Sequence, residues 1–130
     1  MIDYLMQQLS KELAIAPPLK PQTPGNYILS LDTLSITIAA IPYEGVIVSA
    51  NLGPYPQEYE EKIFQDLLRA NLFGESTHGA VLGLSHDGST MTLTHTANYR
   101  LDYNEFRDIV EDFINTADFW RNEVLELVNG

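Results

Sequence analysis

The sequence predicts an α+β domain, with helices packed on an antiparallel sheet in the order α-β-β-β-α-β-β-α. Apolar residues recur at three- and four-residue steps in three stretches and alternate with polar residues in five others. The breaks between consecutive alternating runs are short and made of turn formers, which hairpins accept and crossover helices do not. At 130 residues the chain is expected to form a single domain, 1–130, burying about two-thirds of its unfolded surface around one core.

The first helix is expected from Ile2 to Ala14, with Ile2, Leu5, Met6, Leu9 and Leu13 on one face. It must stop before Pro17-Pro18, because a residue preceding proline is pushed out of the α region. Pro17, Pro18, Pro21, Pro24 and Gly25 form a stiff connector. The period then changes to two. Tyr27, Leu29 and Leu31 define one strand, Leu34, Ile36, Ile38 and Ala40 the next, and Val46, Val48, Ala50 and Leu52 the third. Asp32-Thr33 and Pro42-Tyr43-Glu44-Gly45 separate them, and Gly53-Pro54-Tyr55-Pro56 ends the meander. The second helix is expected from Gln57 to Asn71. Its first turn holds Glu58, Glu60 and Glu61 near the positive end of the helix dipole, and Gly74 lies just past its end. Strands at Ala80–Leu84 and Thr90–Thr96 flank Asp87-Gly88, which accepts the positive φ of a turn. The last helix, from Tyr103, carries Phe106, Val110, Phe113, Ala117, Trp120, Val124 and Leu127 on one stripe over about 25 residues.

Hydrophobic residues make up 45% of the chain and aromatics 10%, so 18 acids against 7 bases do not signify disorder. Eight of those acids lie from Asp102 onward against Arg107 and Arg121, which places more than half of the net charge of -11 on the last helix and the residue just before it. Such a surface repels phosphate backbones and anionic lipid heads, which excludes nucleic acid and membranes as partners. No run approaches a membrane span, and Met1 to Lys11 does not have the pattern of a secretion signal. The absence of cysteine removes disulfides and thiolate chemistry. A cytoplasmic protein is expected.

The residues that usually carry chemistry are present but not assembled. His78, His86 and His95 are eight and nine residues apart, which matches no helical pair and no metal motif. Glu58, Glu60 and Glu61, like Asp108, Glu111 and Asp112, fall on solvated helix faces, where no carboxyl acquires the raised pKa of a general acid. No serine sits in a nucleophile elbow, the Gly79–Gly83 stretch precedes a strand instead of opening a helix, and Asp87–Thr90 is too short for a calcium loop. The expectation is a protein that binds rather than an enzyme, with no catalytic residue, metal or cofactor.

Apolar surface is the remaining resource. Tyr59, Ile63, Phe64, Leu67, Leu68, Leu72 and Phe73 exceed what one face of a short helix needs, so they form either a subunit interface or an overfilled core. Leu29, Leu31, Leu34, Ile36 and Ile38 either lie buried under the terminal helices or partly face outward beside a sheet edge that could take an added strand.

Asn71-Leu72-Phe73-Gly74, Thr77, Gly79-Ala80, Leu82-Gly83-Leu84 and Asp87-Gly88, in that order, resemble the Tir chaperone (CesT-like) family, the class I effector chaperones of bacterial type III secretion. Ala50-x-Leu52-Gly53, and Phe113-Ile114-Asn115 with Trp120 in the closing helix, extend the likeness over most of the chain after Gly25. His78 stands where the family often has glycine, and the proline-rich connector is longer than the usual link. The resemblance implies a type III secretion chaperone-like fold. It also implies a homodimeric, ATP-independent bacterial cytoplasmic protein that binds the N-terminal region of a secreted effector in extended form, with recruitment to the secretion-system ATPase. It places a dimer interface at Ile63, Leu67, Leu68, Phe73, Val81 and Leu82, and effector-binding residues at Leu5, Leu9, Leu29, Leu31, Ile36 and Ile38. The alternative is a same-fold regulatory or adaptor subunit that acts as a heterodimer.

Overall fold

The computed structural model describes residues 1–130 except 16, 32–33, 43, 56–59, 74–78 and 130, together with all side chains of the described residues but those of 60, 63–64, 67, 72–73 and 127–129. The elements are α1 (Ile2–Glu12), β1 (Asn26–Leu31), β2 (Leu34–Ala40), β3 (Val46–Pro54), α2 (Glu60–Phe73), β4 (Val81–Leu84), β5 (Thr90–Ala97) and α3 (Tyr103–Asn129). The strands form one antiparallel sheet of order β1-β2-β3-β5-β4. The helix inserted between β3 and β4 carries the chain past β5's position, so β5 returns to pair with β3 and leaves β4 outermost.

Register explains which residues share a face. Tyr27, Ile38, Val48 and His95 form one row across the sheet, and Leu29, Ile36, Ala50, Leu93 and Leu82 the next. Most of these side chains are buried. They meet Ile2, Leu5, Met6 and Leu9 of α1 and Phe106, Val110, Phe113, Ala117 and Val124 of α3 in one cluster. α3 lies along β3 and α1 packs beside α3, while α2 sits at the β4 end. At 1.5 Å per residue, the 27 residues of α3 span about 40 Å, longer than the nine residues of β3 along which it lies.

Two boundaries differ from the sequence expectation for local reasons. α1 ends at Glu12, because Ala14 turns to a φ of 55° and Ile15 N–H reaches back to the Ser10 carbonyl at 2.9 Å, closing the last turn early. The buried Ser10 Oγ then accepts Leu19 N–H at 3.1 Å and pins the connector against the helix. β3 runs on to Pro54 through a bulge between Asn51 and Gly53. Gly53 supplies a φ of 117°, and its N–H donates to Asn51 Oδ1 at 3.0 Å. Pro54 is tolerated because β2 pairing stops at Ala50, so its missing N–H faces no partner strand. The turns at Asp32-Thr33 and at Tyr43, and the start of the second helix at residues 57–59, lie outside the described residues.

Gly45 closes the β2–β3 connection at a φ of 115°, and a Cβ placed there would stand 2.1 Å from the Ala97 carbonyl oxygen on β5. Gly45→Ala combines a disallowed backbone region with a clash against main chain. It is expected to destabilise the fold by about 2 kcal/mol or more, read as a lowered urea midpoint with unchanged m-value.

Candidate functional site: the β1 edge and the helix above it

An open sheet presents unpaired N–H and C=O groups at each edge strand. At β1 the parity follows from the turn, where Ala40 N–H donates to the Gly25 carbonyl at 2.8 Å. Tyr27, Leu29 and Leu31 therefore bond inward to β2, and Asn26, Ile28 and Ser30 point outward. The outward groups of Asn26 are used by the connector: its N–H donates to Thr23 O, and its carbonyl accepts Gln22 N–H, both at 2.9 Å. Those of Ile28 and Ser30 have no partner among the described residues. Four backbone groups on two alternate residues form a receptive stretch long enough for one short strand.

α1 is tied at both ends, to β1 at its start and to α3 near its close. The Tyr27 hydroxyl donates to Asp3 Oδ1 at 2.5 Å near the start of the helix. Near its end the Tyr103 hydroxyl donates to the Glu12 carboxylate, and Arg107 approaches the same carboxylate at 3.6 Å. Burial, then the hydrogen bond and charge of Asp3, push Tyr27 from 10.0 up to about 12. Burial and Glu12 push Tyr103 to about 12, with Arg107 opposing. Beside the N-terminus of α1 a cavity of about 640 Å³ is lined by Met1, Tyr4, Leu5, Arg100, Leu101, Asp102, Tyr103 and Glu105. Asp102 and Glu105 close a reciprocal cap on α3, at 2.8 and 3.3 Å. Tyr4 is 58% exposed and Met1 44%, so apolar surface flanks the mouth.

The second face of the sheet has a different character. Alternation and register put Ile28, Thr37, Ser49, Thr94 and Val81 in one row, with Asn26, Ala39, Ile47 and Thr96 on one side and Ser30, Ser35, Asn51, Thr92 and Gly83 in positions beyond. None of these residues is charged, in a chain carrying 18 acids. Hydroxyls and a few aliphatic side chains make this face neutral and weakly apolar.

The residues expected to bind an effector are mostly core. Leu5, Leu9, Leu29, Ile36 and Ile38 are buried and Leu31 is half-buried. Period-two alternation puts Leu29, Leu31, Ile36 and Ile38 on the helix-covered face, so their side chains are not a free patch in the isolated chain. The exposed positions are the intervening ones, Ile28 above all. Of the expected dimer residues, Leu68 is 56% and Val81 57% exposed, whereas Leu82 points into the core at 3%. The side chains of Ile63, Leu67 and Phe73 lie outside the described residues, as do those of Phe64 and Leu72; Tyr59 and His78 also lie outside. His86 is exposed in the β4–β5 turn. His95 is half-buried on the core face of β5, where burial holds its pKa below the usual value. Among the described residues no group of three or more His, Asp or Glu side chains is placed to hold a metal ion, and no helix is long and apolar enough to cross a membrane.

Comparison with known proteins gives this geometry its context. The model of the Tir chaperone protein (CesT) family matches residues 4–121. The chain belongs to this family. A Chlamydia pneumoniae protein is 24% identical over 126 residues, covering 95% of this chain and 96% of its own length. Among solved structures, a chain of the ExsC–ExsE complex superposes with a TM-score of 0.75 at 16% identity, covering 95% of this chain and 92% of that one. A chain of the HopA1–SchA chaperone–effector complex gives 0.73 at 19% identity, with 93% of each covered. A chain of the complex between the Yersinia pestis type III secretion chaperone SycH and a fragment of YscM2 gives 0.68 at 16%, covering 92% and 98%. At these identities the structures establish the fold, which is the α-β-β-β-α-β-β-α arrangement the sequence predicts.

The CesT-family helix α1 is thus hung from two tyrosine–carboxylate bonds that require protonated hydroxyls. Each tyrosine has a folded pKa above its unfolded value of 10.0, so its contribution is complete below about pH 10 and is lost as the pH rises toward 12. Tyr27→Phe is expected to cost about 1 kcal/mol at neutral pH, and the Tyr27→Phe/Tyr103→Phe pair to flatten the loss of stability between pH 10 and 12 relative to wild type, measured by urea unfolding.

Proposed function

We propose that this protein is a type III secretion chaperone that binds the N-terminal segment of a cognate effector in extended form, and that it works as a homodimer in the bacterial cytoplasm. The observation that carries the reading is the edge at Ile28 and Ser30, unpartnered among the described residues, on a CesT-family fold whose paired rows on the adjoining sheet face bear no charge. An unfolded segment added at β1 regains main-chain hydrogen bonds without folding. Its side chains alternate between the neutral face and the side of α1, which the Tyr27–Asp3 hydrogen bond holds at this strand. Binding in this mode needs no nucleotide. The half-buried Leu31 and the core residues beneath it hold the edge in place, while the contact itself falls to Ile28, Ser30 and the exposed end of α1.

Exposed Leu68 and Val81 at the α2–β4 end support self-association there, away from the β1 edge, so two copies would offer two receptive edges. No described element assembles a catalytic cluster, and the reading is of a binding protein throughout.

Ile28→Pro removes one outward N–H and places a ring at the edge, without breaking a bond to β2. With the first hundred or so residues of a secreted protein encoded beside this gene, wild type is expected to co-purify, and Ile28→Pro to bind at least about tenfold more weakly by calorimetry with a melting temperature within a few degrees of wild type. Equal affinity of the two proteins would remove the edge from the mechanism. Light scattering is expected to give twice the 14.6 kDa mass of one chain.

A further inference from the structure

The sheet has a second edge, and the outward backbone groups at its second residue are already occupied. In the β4–β5 hairpin Ser85 N–H donates to the Thr90 carbonyl at 2.8 Å, so Ser85, Gly83 and Val81 bond inward to β5 and Leu82 points outward. Both outward groups of Leu82 are taken by a single side chain of α2. The Asn71 carboxamide donates from Nδ2 to the Leu82 carbonyl at 2.9 Å and accepts Leu82 N–H on Oδ1 at 2.8 Å. A primary amide presents a donor and an acceptor side by side, as a neighbouring strand would. Among side chains of this length only asparagine does so: aspartate cannot donate, and leucine of similar size does neither.

We propose that Asn71 is an edge lock, closing β4 against an added strand, and that the strand it excludes is β4 of a second copy of this chain. The neighbourhood shows why such a lock matters. Leu68 on α2 and Val81 and Leu84 on β4 are all exposed apolar side chains, 56%, 57% and 42% accessible, flanking the same short edge. Unpaired backbone beside exposed aliphatic surface is the combination that recruits further strands. β4 ends the sheet with only four residues, so one carboxamide at its second residue blocks the centre of any pairing. Self-association at this end then proceeds through side chains, without joining two sheets into one. For the effector-binding reading above, on which this clause alone depends, the lock leaves Ile28 and Ser30 as the longer open stretch among the described residues for an incoming strand.

The lock is tested with Asn71→Leu, which keeps approximate volume and removes both bonds, and with Asn71→Leu/Val81→Lys, which adds a charged side chain to the exposed edge strand. Sedimentation of Asn71→Leu over a hundredfold range of concentration is expected to show species larger than wild type that grow with concentration. The Leu82 amide is expected to exchange with deuterium at least about tenfold faster than in wild type, and the double variant to show no species larger than wild type. Growth beyond the wild-type mass that Val81→Lys leaves in place would mean general unfolding rather than strand pairing, and would overturn the proposal. So would a wild-type mass for Asn71→Leu with its Leu82 amide deprotected, or an unchanged Leu82 rate. Should Asn71→Leu not fold, wild type decides alone: its Leu82 amide must exchange at least about tenfold more slowly than those of Ile28 and Ser30, and equal rates would overturn the lock. None of these readouts involves an effector, so they succeed or fail separately from the chaperone function.

Discussion

Backbone hydrogen bonding at the margins of the sheet governs much of this molecule. Five strands in the order β1-β2-β3-β5-β4 satisfy their interior, and the arrangement leaves two strips of donors and acceptors for which water or another polypeptide must compete. One strip is closed at Leu82 from within by a helix side chain and, at the other, among the described residues, the first residue alone is covered, by a turn of the proline-rich connector. The asymmetry is local and chemical. It depends on a carboxamide two residues before the end of α2 and on the Thr23–Asn26 turn, not on any difference in strand type.

That asymmetry rests on a rigid base. Ile36, Ile38, Val48, Leu93 and Phe106 are fully buried between the sheet and the α1–α3 layer, and Gly45 allows β2 and β3 to close against the Ala97 carbonyl without a side chain in the way. α1 adds a second level of control. Its apolar face contributes Ile2, Leu5, Met6 and Leu9 to the core, yet its ends are tied through Tyr27 on β1 and Tyr103 on α3, so helix and edge strand share one hydrogen bond.

Most of the architecture was legible in the sequence, because period and turn chemistry are local. The alternation from Tyr27 to Leu52 and the stripe from Tyr103 place their elements within a few residues of the observed ones. The two boundary shifts came from bonds the period does not encode: Ile15 reaching back to Ser10, and the bulge that carries β3 through Gly53 to Pro54. The binding residues were less legible. Alternation identifies Leu29, Ile36 and Ile38 as one face but cannot say which face the helices cover, and the resemblance placed contacts on them, whereas the structure buries them. Ile28 and Ser30 bear no distinctive side-chain signal, because their role lies in the main chain. Asn71 was visible as part of a motif, but its partner Leu82 lies eleven residues on, a pairing only the fold brings together.

The neutral sheet face and the acidic α3 lie on opposite sides of the sheet. Seven acids against two arginines on α3, with no charge in the paired rows of the other face, concentrate negative potential on the helical layer. Two copies approaching in solution repel most strongly helix to helix and least with uncharged surfaces turned toward each other. Encounters are thus biased in orientation before any contact forms, and added salt, by screening the helical layer, relaxes that bias.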